Sequence, residues 1–104
     1  MDNTTNRIAH AFAKQVKQQY PIKAVYVYGS HVKGTTHEYS DIDIAVIVDP
    51  MPSPEFMRIF GGLYAIAARY EGNIEPNLLE DDGQYCKYSF LTEVMETGLR
   101  VDVA

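Results

Sequence analysis

The stretch from Tyr28 to Val48 reads YGSHVKGTTHEYSDIDIAVIV. Its last seven residues, Ile42-Asp43-Ile44-Ala45-Val46-Ile47-Val48, are the strongest strand signal in the chain, being largely β-branched and apolar. Just before the stretch, and overlapping its first residue, Lys23-Ala24-Val25-Tyr26-Val27-Tyr28 reads as another strand. Between the two, Gly29 to Ser40 is a polar, glycine-containing connection. Working outward, residues 4–20 predict a helix that Thr4 or Thr5 can cap, with Ile8, Ala11, Phe12 and Val16 at helical spacing and Pro21 just beyond its end. The proline-rich turn Asp49-Pro50-Met51-Pro52-Ser53-Pro54 leads to a second helix reaching about Tyr70. Phe56, Ile59, Phe60, Leu63, Ile66 and Ala67 lie on its apolar face, and Gly72 stops it. Residues 73–80 predict a strand that Pro76 confines to an edge or a strand end. Residues 84–97 predict a helix closed by Gly98, and residues 99–103 a short last strand. This order implies an α/β or α+β fold, with helices against a small mixed β-sheet.

Composition sets the outer bounds. With 104 residues, 46% apolar and 22% charged, the chain predicts one globular domain over 1–104. No apolar run approaches the roughly 20 residues of a membrane span, and the N-terminus lacks an apolar signal-peptide core, so a cytoplasmic protein is expected. The single cysteine, Cys86, excludes an internal disulfide framework and a multi-cysteine zinc site. Residues 1–50 hold five basic and five acidic side chains, whereas residues 51–104 hold four basic and nine acidic. With no cluster of Lys and Arg, unassisted nucleic-acid binding is not expected. The short length leaves little room for a large acceptor site, so an acceptor is expected to be another protein.

The chemistry lies in the spacing Gly29-Ser30, ten residues, Asp41-x-Asp43. At ordinary residue usage it arises by chance on the order of once per thousand chains of this length. Strand periodicity puts Asp41 and Asp43 on one face, roughly 7 Å apart at Cα. Two carboxylates that close repel each other, and burying them calls for a counter-charge. Mg²⁺ supplies one while keeping positions for water and phosphate oxygens, and a two-metal site could be bridged by such a pair. Ile44, Val46 and Val48 are taken to continue the face of the Asp pair, which sets Asp43 on an apolar stripe. Gly29 at a strand end lets a ligand approach the backbone, and Ser30 opening a short helical turn offers a hydroxyl and backbone N–H groups to phosphate. Gly34, Thr35 and Thr36 are expected to keep the connection compact. An ordinary strand-ending turn and a solvated strand aspartate are the plain alternatives for each part taken singly.

Together with the flanking Tyr-Gly-Ser and Ser-Asp-Ile-Asp-Ile-Ala-Val, this pattern resembles the DNA-polymerase-β-like nucleotidyltransferase superfamily, in particular its minimal nucleotidyltransferase branch. The resemblance implies the nucleotidyltransferase fold, Mg²⁺, a nucleoside triphosphate such as ATP, and transfer of a nucleoside monophosphate to a hydroxyl with release of pyrophosphate. It assigns Gly29 and Ser30 to the nucleotide, and Asp41 and Asp43 to the metal and catalysis. Many minimal members pair with a small helical HEPN protein as toxin and antitoxin, and in some pairs a tyrosine of the toxin is adenylylated, so a HEPN-type partner is implied here.

The superfamily's third carboxylate sits on a later strand. Its best match is Glu75, as a metal ligand or as the base for the acceptor hydroxyl. Here the sequence departs from the family, which most often has Asp inside a regular strand, whereas Glu75 precedes Pro76. Lys33 is a candidate for the triphosphate charge. His31 and His37 are expected to face solvent, and Glu80-Asp81-Asp82 reads as a solvated acidic turn. Tyr64, Tyr70, Tyr85 and Tyr88 fall on predicted helices, where they suit a protein interface or ordinary packing. No Walker loop and no GxGxxG is present. The competing reading is a non-catalytic antitoxin that masks its partner by contact. An aminoglycoside-type or tRNA-type transferase is disfavoured by the missing second domain and the absence of basic charge, and a homo-oligomer stays open.

Overall fold

The computed structural model describes residues 1–34, 41–84 and 86–103. The expectations placed on Thr35, Thr36, His37 and Tyr85 lie outside them. The chain runs α1 (Asn3–Gln19), β1 (Ala24–Tyr28), α2 (Ser30–Lys33), β2 (Ile42–Val48), α3 (Ser53–Ala67), β3 (Ile74–Glu80), α4 (Phe90–Thr97) and β4 (Leu99–Arg100). The four strands form one sheet in the order β3-β2-β1-β4. β1 is antiparallel to both β2 and β4, and β2 is parallel to β3. A parallel pair needs a crossover, and α3 supplies it. Pro76 is tolerated because β3 is an edge strand.

Alternation along the strands separates two apolar layers. Val25, Val27, Ile44, Val46, Val48, Ile74 and Leu78 face α1 and α3, against Ala9, Phe12, Ala13, Val16, Ile59, Leu63 and Ile66. Ala24, Tyr26, Ala45 and Ile47 face the other way, toward Val94 of α4 with Leu91 and Met95 beside it. Asp43 has the parity of Ala45 and Ile47. The expected partners Ile44, Val46 and Val48 therefore lie on the opposite face, since side chains alternate at every residue. An apolar stripe still follows Asp43, but it is the one shared with α4.

Other departures have local causes. The cap of α1 is Asp2, whose carboxylate accepts from the Thr5 amide at 2.7 Å. Thr5 is buried instead, with Oγ1 3.4 Å from Nδ1 of His31. α3 ends at Ala67, and the next residues tighten into bonds from Arg69 N–H to Ile66 and from Tyr70 N–H to Ala67. Gly72 at φ 91° then turns the chain into β3. α4 starts at Phe90, six residues later than the sequence predicts. Asp81 and Asp82 hold turns by accepting from the Gly83 and Gln84 amides, and Ser89 is the true cap, accepting from the Thr92 amide at 3.1 Å. The last strand has two residues, although Val101 still donates to the Val25 carbonyl. Asp81 is not a solvated turn residue. It is 4% exposed and pairs with the Lys23 ammonium at 3.2 Å.

Candidate active site

The candidate residues gather at one end of the two central strands, rather than along a lateral edge of the sheet. β1 ends at Tyr28, and Gly29 follows as the N-cap of α2. Tyr28 is opposite Asp43 across the antiparallel ladder, and Asp43 is opposite Glu75 across the parallel one. Register partners share a face and neighbouring strands lie about 4.8 Å apart, so Tyr28, Asp43 and Glu75 form a row. Asp41 stands exposed just ahead of β2. α4 covers the middle of this face, and the row lies at its open end, where Asp43 is partly exposed and Glu75 exposed.

Gly29 is fixed by two requirements. Its backbone at φ 78° and ψ −148° is in a region essentially restricted to glycine. A Cβ there would also lie 2.5 Å from Oδ2 of Asp43. The Asp43 carboxylate thus sits directly against the backbone where β1 turns into α2. Ser30 begins that turn, and the amides of Val32 and Lys33 donate to the Gly29 carbonyl. Lys33 is exposed and shares a small cavity of about 50 Å³ with Tyr28, Gly29 and Phe90. The Phe90 ring meets Tyr28 edge to face at 5.3 Å.

The electrostatics are those of crowded acids. Burial pushes the Asp43 carboxyl above the ordinary aspartate value, the charges of Asp41 and Glu75 push it further, and His31 acts in the opposite sense as the smallest influence. The Tyr28 phenol is raised first by burial and also by Asp43 and Glu75, against a hydrogen bond with Asn77. His31, expected in solvent, is half-buried between Thr5 and this cluster.

A divalent cation suits this donor set of hard carboxylate oxygens, because its charge would offset the burial and like charges that push the Asp43 carboxyl up. The trio is not already closed, because among the described residues no three His, Cys, Asp or Glu side chains are gathered into a ready metal cluster. Glu75 is instead engaged by Tyr64 of α3, whose hydroxyl donates to Oε1 at 2.9 Å. The sequence does not reveal this contact: there Tyr64 is one of four tyrosines suited to a protein interface or to ordinary packing. No short motif links a helix residue to a strand residue eleven positions on.

The nucleotidyltransferase domain family matches residues 10–103, a span that includes Gly29, Ser30, Lys33, Asp41, Asp43, Tyr64 and Glu75. The chain belongs to this family. Two Methanocaldococcus jannaschii proteins, both designated candidate protein adenylyltransferases, are similar to it. One is 31% identical over 72% of this chain and 54% of its own length. The other is 34% identical over 45% of this chain and 52% of its own length. The chain thus spans about half the length of the curated relatives it matches. Among solved structures, a candidate nucleotidyltransferase from Sulfolobus solfataricus aligns with a TM-score of 0.56 at 24% identity, covering 74% of this chain and 68% of that one. A toxin–antitoxin structure with AMP-PNP aligns with a TM-score of 0.56 at 19% identity, over 91% of this chain and 73% of that one. At these identities the two structures establish the fold. The family's mixed sheet flanked by helices is the one described above.

Proposed function

We propose that this nucleotidyltransferase-family chain transfers a nucleoside monophosphate, AMP from ATP, to a hydroxyl on a partner protein, with a small helical HEPN-type toxin as the acceptor class. The observation that carries the reading is the row Gly29–Asp43–Glu75, in which a glycine-restricted turn abuts one carboxylate and the strand register brings up a second. The relatives designated candidate protein adenylyltransferases support AMP transfer to protein. The structural neighbour described as a toxin–antitoxin with AMP-PNP supports both the nucleotide and the pairing.

In this reading Gly29 lets the triphosphate approach the backbone, Ser30 donates its hydroxyl to a phosphate oxygen, and Lys33 adds positive charge at the open side. Asp41 and Asp43 would hold Mg²⁺, with Glu75 completing the set. The ion, when bound, neutralises phosphate charge and stabilises the charge developing at phosphorus. Glu75 accepts the proton of the incoming hydroxyl, which takes the place that the Tyr64 hydroxyl holds at Oε1. Positioning and electrostatics then provide most of the rate.

The test is transfer of label from α-labelled ATP to the partner in the presence of Mg²⁺, comparing wild type with Asp43→Ala. Loss of transfer in the variant is expected, and equal transfer by both overturns the reading. The engagement of Glu75 by Tyr64 favours a second reading, in which the chain masks its partner by contact alone. That reading predicts that Asp41→Ala combined with Asp43→Ala still neutralises the partner while transferring nothing.

A further inference from the structure

Tyr64 holds a hydroxyl against Glu75, the carboxylate at the outer end of the row. The strand order sets a line across the site: Gly29 and Ser30 after β1, Asp43 on β2, Glu75 on the edge strand β3, and Tyr64 reaching in from α3 beyond that edge. An acceptor hydroxyl needs a carboxylate to take its proton and a path to the phosphate side of Asp43. The Tyr64 hydroxyl meets the first condition already, 2.9 Å from Oε1 of Glu75. It also has freedom to move, because the side chain is 42% exposed and its ring contact is with Phe60, at 5.4 Å on the same helix. Rotation about its side-chain torsions does not open the core.

The other described tyrosines are placed differently. Tyr26 is buried in the sheet face. The Tyr28 hydroxyl bonds with Asn77. Tyr20 packs against Gly62 and under Arg58, and the Tyr70 hydroxyl is taken by Gln15 and the Ala11 carbonyl. Tyr88 is 87% exposed, beside Lys87. None of these contacts is with a carboxylate.

We infer that the chain transfers a nucleoside monophosphate to its own Tyr64 in an intramolecular reaction, an inference that rests on the nucleotidyltransfer reading above. The Tyr64 oxygen forms a bond to the α-phosphorus of the nucleoside triphosphate as the bond from that phosphorus to the bridging oxygen of the β-phosphate breaks. Pyrophosphate leaves with the electron pair, and the phenol proton passes to Glu75. The product is a phosphodiester between tyrosine and nucleoside. Its esterified oxygen has no proton left to donate, so the Tyr64–Glu75 bond is lost in the modified chain.

The experiment incubates the purified full chain with Mg²⁺ and α-labelled ATP, then maps the modified residue by peptide mass spectrometry. One nucleoside monophosphate is expected on the peptide carrying Tyr64, approaching one per chain. It is absent from Asp43→Asn and from Tyr64→Phe, with the circular dichroism of each variant checking its fold. Mixing the Asp43→Asn chain with the Tyr64→Phe chain leaves Tyr64 of the former unlabelled if transfer is intramolecular. Label appearing there overturns that claim. Pyrophosphate release that depends on Asp43, with transfer to a partner protein or water but none to Tyr64, overturns self-modification and leaves nucleotidyltransfer standing. No Asp43-dependent release with any acceptor overturns both.

Discussion

Asp43 and Asp81 sit near opposite ends of the same sheet face, and their surroundings differ in kind. Asp81 is the more deeply buried at 4% exposure, yet its charge is matched: Lys23 pairs with it at 3.2 Å and the Gly83 amide donates to it. A cavity of about 260 Å³ opens beside the pair, lined also by Tyr26, Ile47, Met95 and Arg100. Asp43 is less buried and is surrounded by further acid. Its carboxyl is pushed up by burial, Asp41 and Glu75, whereas the hydrogen bond to Asp81 is the main influence raising the Lys23 ammonium. One end of the face spends a lysine on holding a carboxylate. The other end leaves carboxylates repelling one another, a state that costs stability and is retained where a cation or substrate makes use of it. The contrast separates an acid whose charge is matched within the fold from one whose charge is not, without reference to sequence motifs.

The two ends of the face should differ most at Asp43. Asp43→Ala is expected to lower transfer from α-labelled ATP by on the order of 10²–10³-fold, the scale of losing one preorganised electrostatic group. Its Tm in the presence of a chelator should equal or exceed that of the wild type, because like-charge repulsion is relieved. Thermal unfolding followed by circular dichroism checks this, and a large destabilisation would place Asp43 with Asp81 as a structural residue. Asp81→Ala should do the reverse. It removes a buried, hydrogen-bonded acceptor at a cost of about 2–3 kcal/mol, which is a Tm drop of roughly 10 °C for a domain of this size. Transfer per folded molecule should stay unchanged. Mg²⁺ sharpens the contrast further. At a hundred times its dissociation constant a ligand of the folded state adds about 2.7 kcal/mol, so the ion should raise the Tm of the wild type and of Asp81→Ala, but not of Asp43→Ala. Equal stabilisation of all three chains would place the cation elsewhere.

Sequence periodicity shows most of this architecture. β2 is legible to the residue because Ile42 to Val48 carries both β-propensity and burial, and β3 is legible as an edge strand because Pro76 cannot donate to a second neighbour. Gly29, Asp41 and Asp43 are legible because a local spacing encodes them. What the sequence hides are contacts set by register and by helix reach. That Glu75 stands opposite Asp43 follows from the parallel ladder, and that Tyr64 reaches Glu75 follows from where α3 crosses the sheet edge. Asp81 is misread because three adjacent acids suggest solvent, whereas its burial is decided by Lys23, 58 positions away in the chain. The late start of α4 is hidden for a related reason, since the turns held by Asp81 and Asp82 and the Ser89 cap compete with helical spacing over the same residues.

The smallest effect concerns the lysine itself. The Lys23 ammonium is held above its ordinary value of 10.5, first by its hydrogen bond to Asp81 and also by the charges of Asp81 and Asp49. The folded chain therefore holds this proton more tightly than the unfolded chain. The stability this contributes is fully present below 10.5 and is lost as pH rises through the higher folded value. Wild type should lose Tm across that alkaline window, whereas Lys23→Met starts lower and loses less, because it has no such proton to give up. Tyrosines and the remaining lysines titrate in the same range in both chains, so the difference between the two curves isolates Lys23. Parallel curves would mean that the ion pair seen at 3.2 Å does not couple to folding. The Asp81 carboxylate would then be held by the Gly83 amide rather than by the lysine, and the contrast with Asp43 would rest on hydrogen bonding rather than charge pairing.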